Sequence, residues 1–111
     1  MSRLPTLSVE TLDAWLGDKK TKKPVILDVR ERWETDIGHI KDSHLRPLSA
    51  LNQQVINEVA KTSCIVVVCH HGIRSAMVTE WLINQGYTDV FNLEGGINAW
   101  SLRVDQSIEL Y

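Results

Sequence analysis

Cysteine is scarce: the 111 residues hold two, Cys64 and Cys69. Five steps along an extended strand set them on opposite faces and about 16 Å apart. A disulfide needs Cα atoms within about 7 Å, so the two do not pair and both thiols suit reducing conditions. No sign of charge dominates, since 12 Lys and Arg against 14 Asp and Glu leave a net charge of −2. That balance argues against a nucleic-acid partner held by phosphate neutralisation. No apolar run approaches about 18 residues, so neither a membrane-spanning helix nor a membrane partner is expected. The opening Met1-Ser2-Arg3-Leu4-Pro5 lacks the long apolar core of a signal peptide, and a cytoplasmic protein is expected. The histidines and cysteines show neither C-x2-C nor H-x3-H spacing, so no metal site is expected. Internal repeats, low-complexity stretches and linkers are also missing.

What is present is an ordinary globular composition, with 43% hydrophobic and 23% charged residues. The length fits one domain over 1–111, with a core over about 7–102 and a tail over 103–111. Its centre is Cys69-His70-His71-Gly72-Ile73-Arg74-Ser75. The preceding Ile65-Val66-Val67-Val68 is β-branched and apolar, and reads as a fully buried strand. The following Ala76 to Gln85 reads as a helix stopped by Gly86, with Val78, Trp81, Leu82 and Met77 as its candidate buried side. Cys69 thus stands where a buried strand gives way to a helix, the edge at which open α/β sheets bind ligands. A short glycine-containing turn there can gather N–H groups into an anion nest, and the helix adds the positive end of its dipole. With Arg74 alongside, such a place favours a thiolate. Cys64 reads as a small apolar filler.

Earlier in the chain, Ser8 is the expected N-cap of a helix whose Leu12, Trp15 and Leu16 share a face, ended by Gly17. Lys19, Lys20, Lys22 and Lys23 read as a solvated loop. Pro24 to Arg30 is a central strand whose Asp28 and Arg30 point to one side of the ligand edge. The residues leave open whether these two pair with each other or brace the cysteine loop. Glu31 to Ile37 reads as a short helix with Trp33 and Ile37 as its apolar side. Asp42 to Pro47 holds a short strand with His44 and Leu45. A third helix is expected with Ser49 as N-cap and Leu51, Val55, Ile56 and Val59 as its buried stripe. Thr88 to Leu93 is a last strand, followed by a turn at Glu94-Gly95-Gly96 and a short helix over Ile97 to Leu102. Arg103 to Tyr111 has no clear period and is expected on the surface. The alternation predicts an α/β fold: a small, open, mostly parallel five-stranded sheet with helices on both faces.

Asp28-Val29-Arg30-Glu31, Trp33-Glu34, Gly38-His39-Ile40, Val66-Val67-Val68-Cys69 with Gly72 and Arg74-Ser75, Gly86-Tyr87, and Leu93-Glu94-Gly95-Gly96-Ile97 with Ala99-Trp100 together resemble the single-domain rhodaneses. The likeness runs from about Val9 to Leu102. It implies a sulfurtransferase without a cofactor, in which the Cys69 thiolate takes the outer sulfur of a donor such as thiosulfate and a thiophilic acceptor removes it from the persulfide. On that reading the N–H groups from His70 through His71, Gly72, Ile73 and Arg74 to Ser75 stabilise the sulfur anion, and Arg74 attracts the donor dianion. The family commonly has a buried Asp where Asp28 stands. A persulfide from a cysteine desulfurase and a thioredoxin-like acceptor are equally compatible partners. The chain departs from the family pattern at Lys41, Asp42, Ser43 and His44, where small apolar residues are usual. His70 and His71 stand where members vary.

Two rivals follow from the same stretch. Cysteine phosphatases, some on a rhodanese-like fold, carry C-x5-R, whereas Ser75 stands six positions after Cys69 and Arg74 one earlier. A persulfide carrier or binding module for a protein partner is the other, although modules that have lost their chemistry usually lack the cysteine that this chain keeps.

Overall fold

All of Ile65–Val68 is buried, and the rest of the sheet is laid on either side of it. The computed structural model describes residues 4–111. In chain order the elements are β1 (Thr6–Leu7), α1 (Val9–Gly17), β2 (Val25–Asp28), α2 (Arg32–Ile37), β3 (His44–Leu45), a 3-10 turn (Leu48–Ala50), α3 (Gln53–Ile56), β4 (Ile65–Val68), α4 (Ile73–Asn84), β5 (Val90–Leu93) and α5 (Gly96–Arg103). The five strands lie in the order β1-β5-β4-β2-β3, and every pairing is parallel. Asp28 is in register with Val68, so Arg30 and Cys69 leave the sheet at neighbouring points of one edge.

Side chains alternate across the central strands and divide the core into two layers. Ile26, Val66 and Val68 face α1 and α5, where they meet Leu12, Ile97 and Trp100. Leu27, Ile65, Val67 and Cys69 face the other side with Ile56, Val78 and Leu82 from α3 and α4. Parallel strands covered on both faces must be apolar on both faces, which is why β4 reads as an unbroken run. Among the described residues no helix is long and apolar enough to cross a membrane.

Ser8 caps α1 as expected, its Oγ accepting from the Thr11 N–H at 3.1 Å. Elsewhere the structure corrects the reading of the sequence. The N-cap of α3 is Asn52, not Ser49, because Pro47 opens a 3-10 turn over Ser49 and the chain re-enters helix only afterwards. Trp33 is 64% exposed, while Glu34 and Thr35 are the buried residues of α2. Met77 is 60% exposed and lies away from the sheet. The segment after α5 does not float on the surface: Ile108 is buried in the α1/α5 layer, and Tyr111 packs at the sheet edge beside the cysteine loop.

Candidate active site

Cys69 follows the last residue of β4, and three residues later Gly72 opens α4. Gly72 sits at φ +103°, a left-handed conformation that costs glycine little. This turns the chain so that the Gly72 N–H donates to the Cys69 Sγ at 3.1 Å. The N–H groups of His70, His71, Ile73, Arg74 and Ser75 have no hydrogen-bond partner among the described residues. Uncommitted amides at a helix start are a ready binding place for an anion. Cys69 is only 1% exposed, and its sulfur lies 3.2 Å from the Ser75 Oγ.

The loop's carbonyls are committed elsewhere. The α5 amides of Ile97 and Asn98 donate to the Cys69 and His70 carbonyls at 2.9 and 3.0 Å. That approach requires glycine at position 96, which sits at φ +57°. A Cβ added there would lie 2.4 Å from the Cys69 carbonyl oxygen and 2.6 Å from that of His70. Both are backbone atoms, so neither can swing aside. Gly96→Ala is therefore expected to cost about 2–4 kcal/mol in urea unfolding and to displace the cysteine loop with it. A loss below about 0.5 kcal/mol would contradict the close approach.

Asp28 and Arg30 pair with each other. Arg30 Nη2 meets the Asp28 carboxylate at 2.8 Å with both side chains buried. Burial opposes the Arg30 charge, but the Asp28 hydrogen bonds outweigh it and hold the guanidinium firmly protonated. Arg74 points to α2. Its Nη1 and Nη2 donate to the two Glu34 oxygens at 2.6 and 2.7 Å, a bidentate pair. Arg74, expected to attract a donor dianion, is here paired with Glu34 and clamps the first turn of α4 onto α2.

Glu34 and Tyr111 are parts of the site that the sequence reading missed. The Tyr111 hydroxyl donates to Glu34 Oε2 at 2.7 Å and accepts from Arg30 Nη1 at 3.1 Å. Its ring stacks on His70 with centroids 3.9 Å apart, and His70 in turn packs on His71. Burial first, then the neighbouring His71, pushes the His70 pKa down, which favours neutral imidazole. Burial likewise pushes the Tyr111 phenol up to about 12. Among the described residues no three metal-type donors converge.

The Arg74 hydrogen bonds hold the Glu34 carboxyl at about 2 instead of its ordinary 4.5, against the opposing effect of burial. A depressed carboxylate stabilises the fold above its unfolded pKa and ceases to do so as pH falls through its folded one. About 2 kcal/mol is thus expected to be lost between neutral pH and pH 3 on this account. Urea unfolding at both pH values should show a flatter dependence in Glu34→Gln than in the parent; parallel dependences would contradict the clamp.

The Rhodanese-like domain model matches residues 8–103. The thiosulfate sulfurtransferase GlpE of Pseudoalteromonas translucida is 33% identical over 86 residues, covering 77% of this chain and 80% of its own length. A rhodanese-like domain protein from Staphylococcus aureus superposes with a TM-score of 0.81 at 31% identity, covering 97% of this chain and 99% of its own. Other relatives are much longer. The rhodanese-like/PpiC domain-containing protein 12 of Arabidopsis thaliana is 35% identical over 89 residues, 78% of this chain, and the chain spans 30% of its length. It spans 25% and 27% of two adenylyltransferase/sulfurtransferase relatives. With a parallel sheet of this order, a cysteine at the β4–α4 junction and a family match over most of its length, the chain belongs to the rhodanese-like domain family.

Proposed function

We propose that the protein is a sulfurtransferase that moves a sulfane sulfur from a donor such as thiosulfate to a thiophilic acceptor through a persulfide on Cys69. The observation that carries this reading is the Cys69 sulfur held by the Gly72 N–H, with five further loop amides uncommitted around it. The Cys69 thiolate attacks the outer sulfur of thiosulfate. A new S–S bond forms, the old one breaks, and sulfite leaves with the electron pair. The negative charge now rests on the outer persulfide sulfur, where the loop amides stabilise it. A nucleophile such as cyanide takes that sulfur as thiocyanate and returns the thiolate. The name of the Pseudoalteromonas relative supports thiosulfate as a donor. A free-thiol cycle of this kind suits a reducing compartment such as the cytoplasm.

The test is the mass of the reduced protein after mixing with thiosulfate. One added sulfur atom on Cys69, discharged by cyanide with an equal yield of thiocyanate, is the expected result. Absence of both the added mass and thiocyanate would overturn the proposal, and turnover of an aryl phosphate would point to the phosphatase alternative. A protein acceptor is the second reading, favoured by the exposed Trp33, Ile73 and Met77 on α2 and α4. A thioredoxin-like acceptor or a desulfurase donor would then meet this apolar surface.

A further inference from the structure

Ser75 stands between Cys69 and Asn92, and all three are buried. Asn92, on β5, donates through Nδ2 to the Gly72 carbonyl at 3.1 Å. A carbonyl can only accept, so this bond fixes the amide orientation and turns Oδ1 toward Ser75. The Ser75 hydroxyl donates to that Oδ1 at 2.5 Å. A serine hydroxyl has one hydrogen, and here it is spent on Asn92. Toward the Cys69 sulfur, 3.2 Å away, Ser75 therefore presents a lone pair. A lone pair repels a sulfur anion at that distance, whereas it accepts a hydrogen bond from a neutral S–H.

We infer that Asn92 is a positioning residue: acting through Ser75, it holds the resting Cys69 as a hydrogen-bonded thiol, and the sulfur becomes an anion as the Ser75 hydroxyl rotates from Asn92 to Cys69. The purpose of this device rests on the sulfurtransferase reading above, but its geometry does not. On activation the thiol proton passes to a base in the solvent, while Ser75 keeps its own hydrogen and redirects it. The anion gains a charge-assisted bond, and Asn92 Oδ1 loses its donor inside the protein. Among the described residues no side chain other than Ser75 hydrogen-bonds the Cys69 sulfur. Arg74 is bound to Glu34, Arg30 to Asp28 and the Tyr111 hydroxyl, and the buried His70 Nε2 has no hydrogen-bond partner among the described residues. Asn92 thus acts as a brake on a buried nucleophile.

The first test is the infrared S–H stretch, read in Cys64→Ala protein so that Cys69 is the one thiol present. The expected band lies below the position of a free thiol and moves up to it in the Ser75→Ala variant. A band already at the free position, one that Ser75→Ala does not move, or no S–H band would overturn the inference. The second is alkylation of Cys69 by iodoacetamide at neutral pH in the same background. Asn92→Ala is expected to speed it about tenfold more when Ser75 is present than when Ser75 is already Ala. Any loosening of the loop through the lost Gly72 bond acts alike in both backgrounds, so equal changes in the two would overturn the brake. If Asn92→Ala does not fold, the near-isosteric Asn92→Leu takes its place in the same comparison, since it too removes the Oδ1 acceptor. Neither measurement uses sulfur transfer, so failure of the brake and failure of the proposed activity are told apart.

Discussion

Cys69→Ala is expected to lower thiocyanate formation from thiosulfate and cyanide at least about a thousandfold, while Cys64→Ala stays within about twofold of the parent. The two thiols flank the same strand, but their surroundings differ in kind. Cys64 precedes β4 at its entry end, where burial and then the Asp89 charge and hydrogen bond push its pKa up to about 11. At neutral pH it is almost wholly protonated and a poor nucleophile. Cys69 leaves the strand at the other end, beside the Gly72 N–H and the start of α4. Circular dichroism should find both variants folded, since each removes one small sulfur atom. Equal activity losses in the two variants would mean that the nucleophile has been assigned to the wrong thiol.

The placement of Cys69 was legible because its causes are local. Four β-branched or aliphatic residues in a row demand a strand covered on both faces, and a glycine three residues past the cysteine permits the turn into α4. The two-sided layering follows from strand alternation, so the expected fold class matches the observed sheet. What was not legible depends on partners distant in sequence. Glu34 and Trp33 exchange the exposures that a helical pattern assigns them because Arg74, 40 positions away, draws the carboxylate inward. Tyr111 carries no periodic signal, and its place is set by Arg30, Glu34 and His70 together. The strand Thr6–Leu7 spans two residues, too few to show an alternation, and exists because Asn92 and Leu93 pair with it. Asp28 and Arg30 are an intermediate case: their side-by-side placement at the strand end follows from spacing, but that they pair with each other is seen only in the folded chain.

The mutual pairing of Asp28 and Arg30 also carries much of the stability of this edge. Asp28→Ala is expected to cost about 3–5 kcal/mol in urea unfolding, because it leaves the buried Arg30 cation without its counter-charge. Arg30 Nε and Nη2 lie 3.0 and 2.8 Å from the carboxylate oxygens, and the Arg30 main-chain N–H adds a third donor at 3.1 Å. The remaining donors hold the Gly38 carbonyl at 2.7 Å, the Glu34 carbonyl at 3.3 Å and the Tyr111 hydroxyl. Water cannot readily replace Asp28, since both side chains are almost fully buried. Most of the cost should therefore be that of stranding a charge, not of losing an attraction. The double variant Asp28→Leu with Arg30→Met removes both charges and is expected to be more stable than Asp28→Ala alone. A single-variant loss below about 1 kcal/mol, or a double variant no better than the single, would contradict this account. Through Arg30 the same pair holds the backbone of α2 at Glu34 and at its C-cap Gly38, and orients Tyr111. The fall in stability should accordingly be accompanied by loss of the Glu34–Arg74 clamp, read as the same flattened acid dependence predicted for Glu34→Gln.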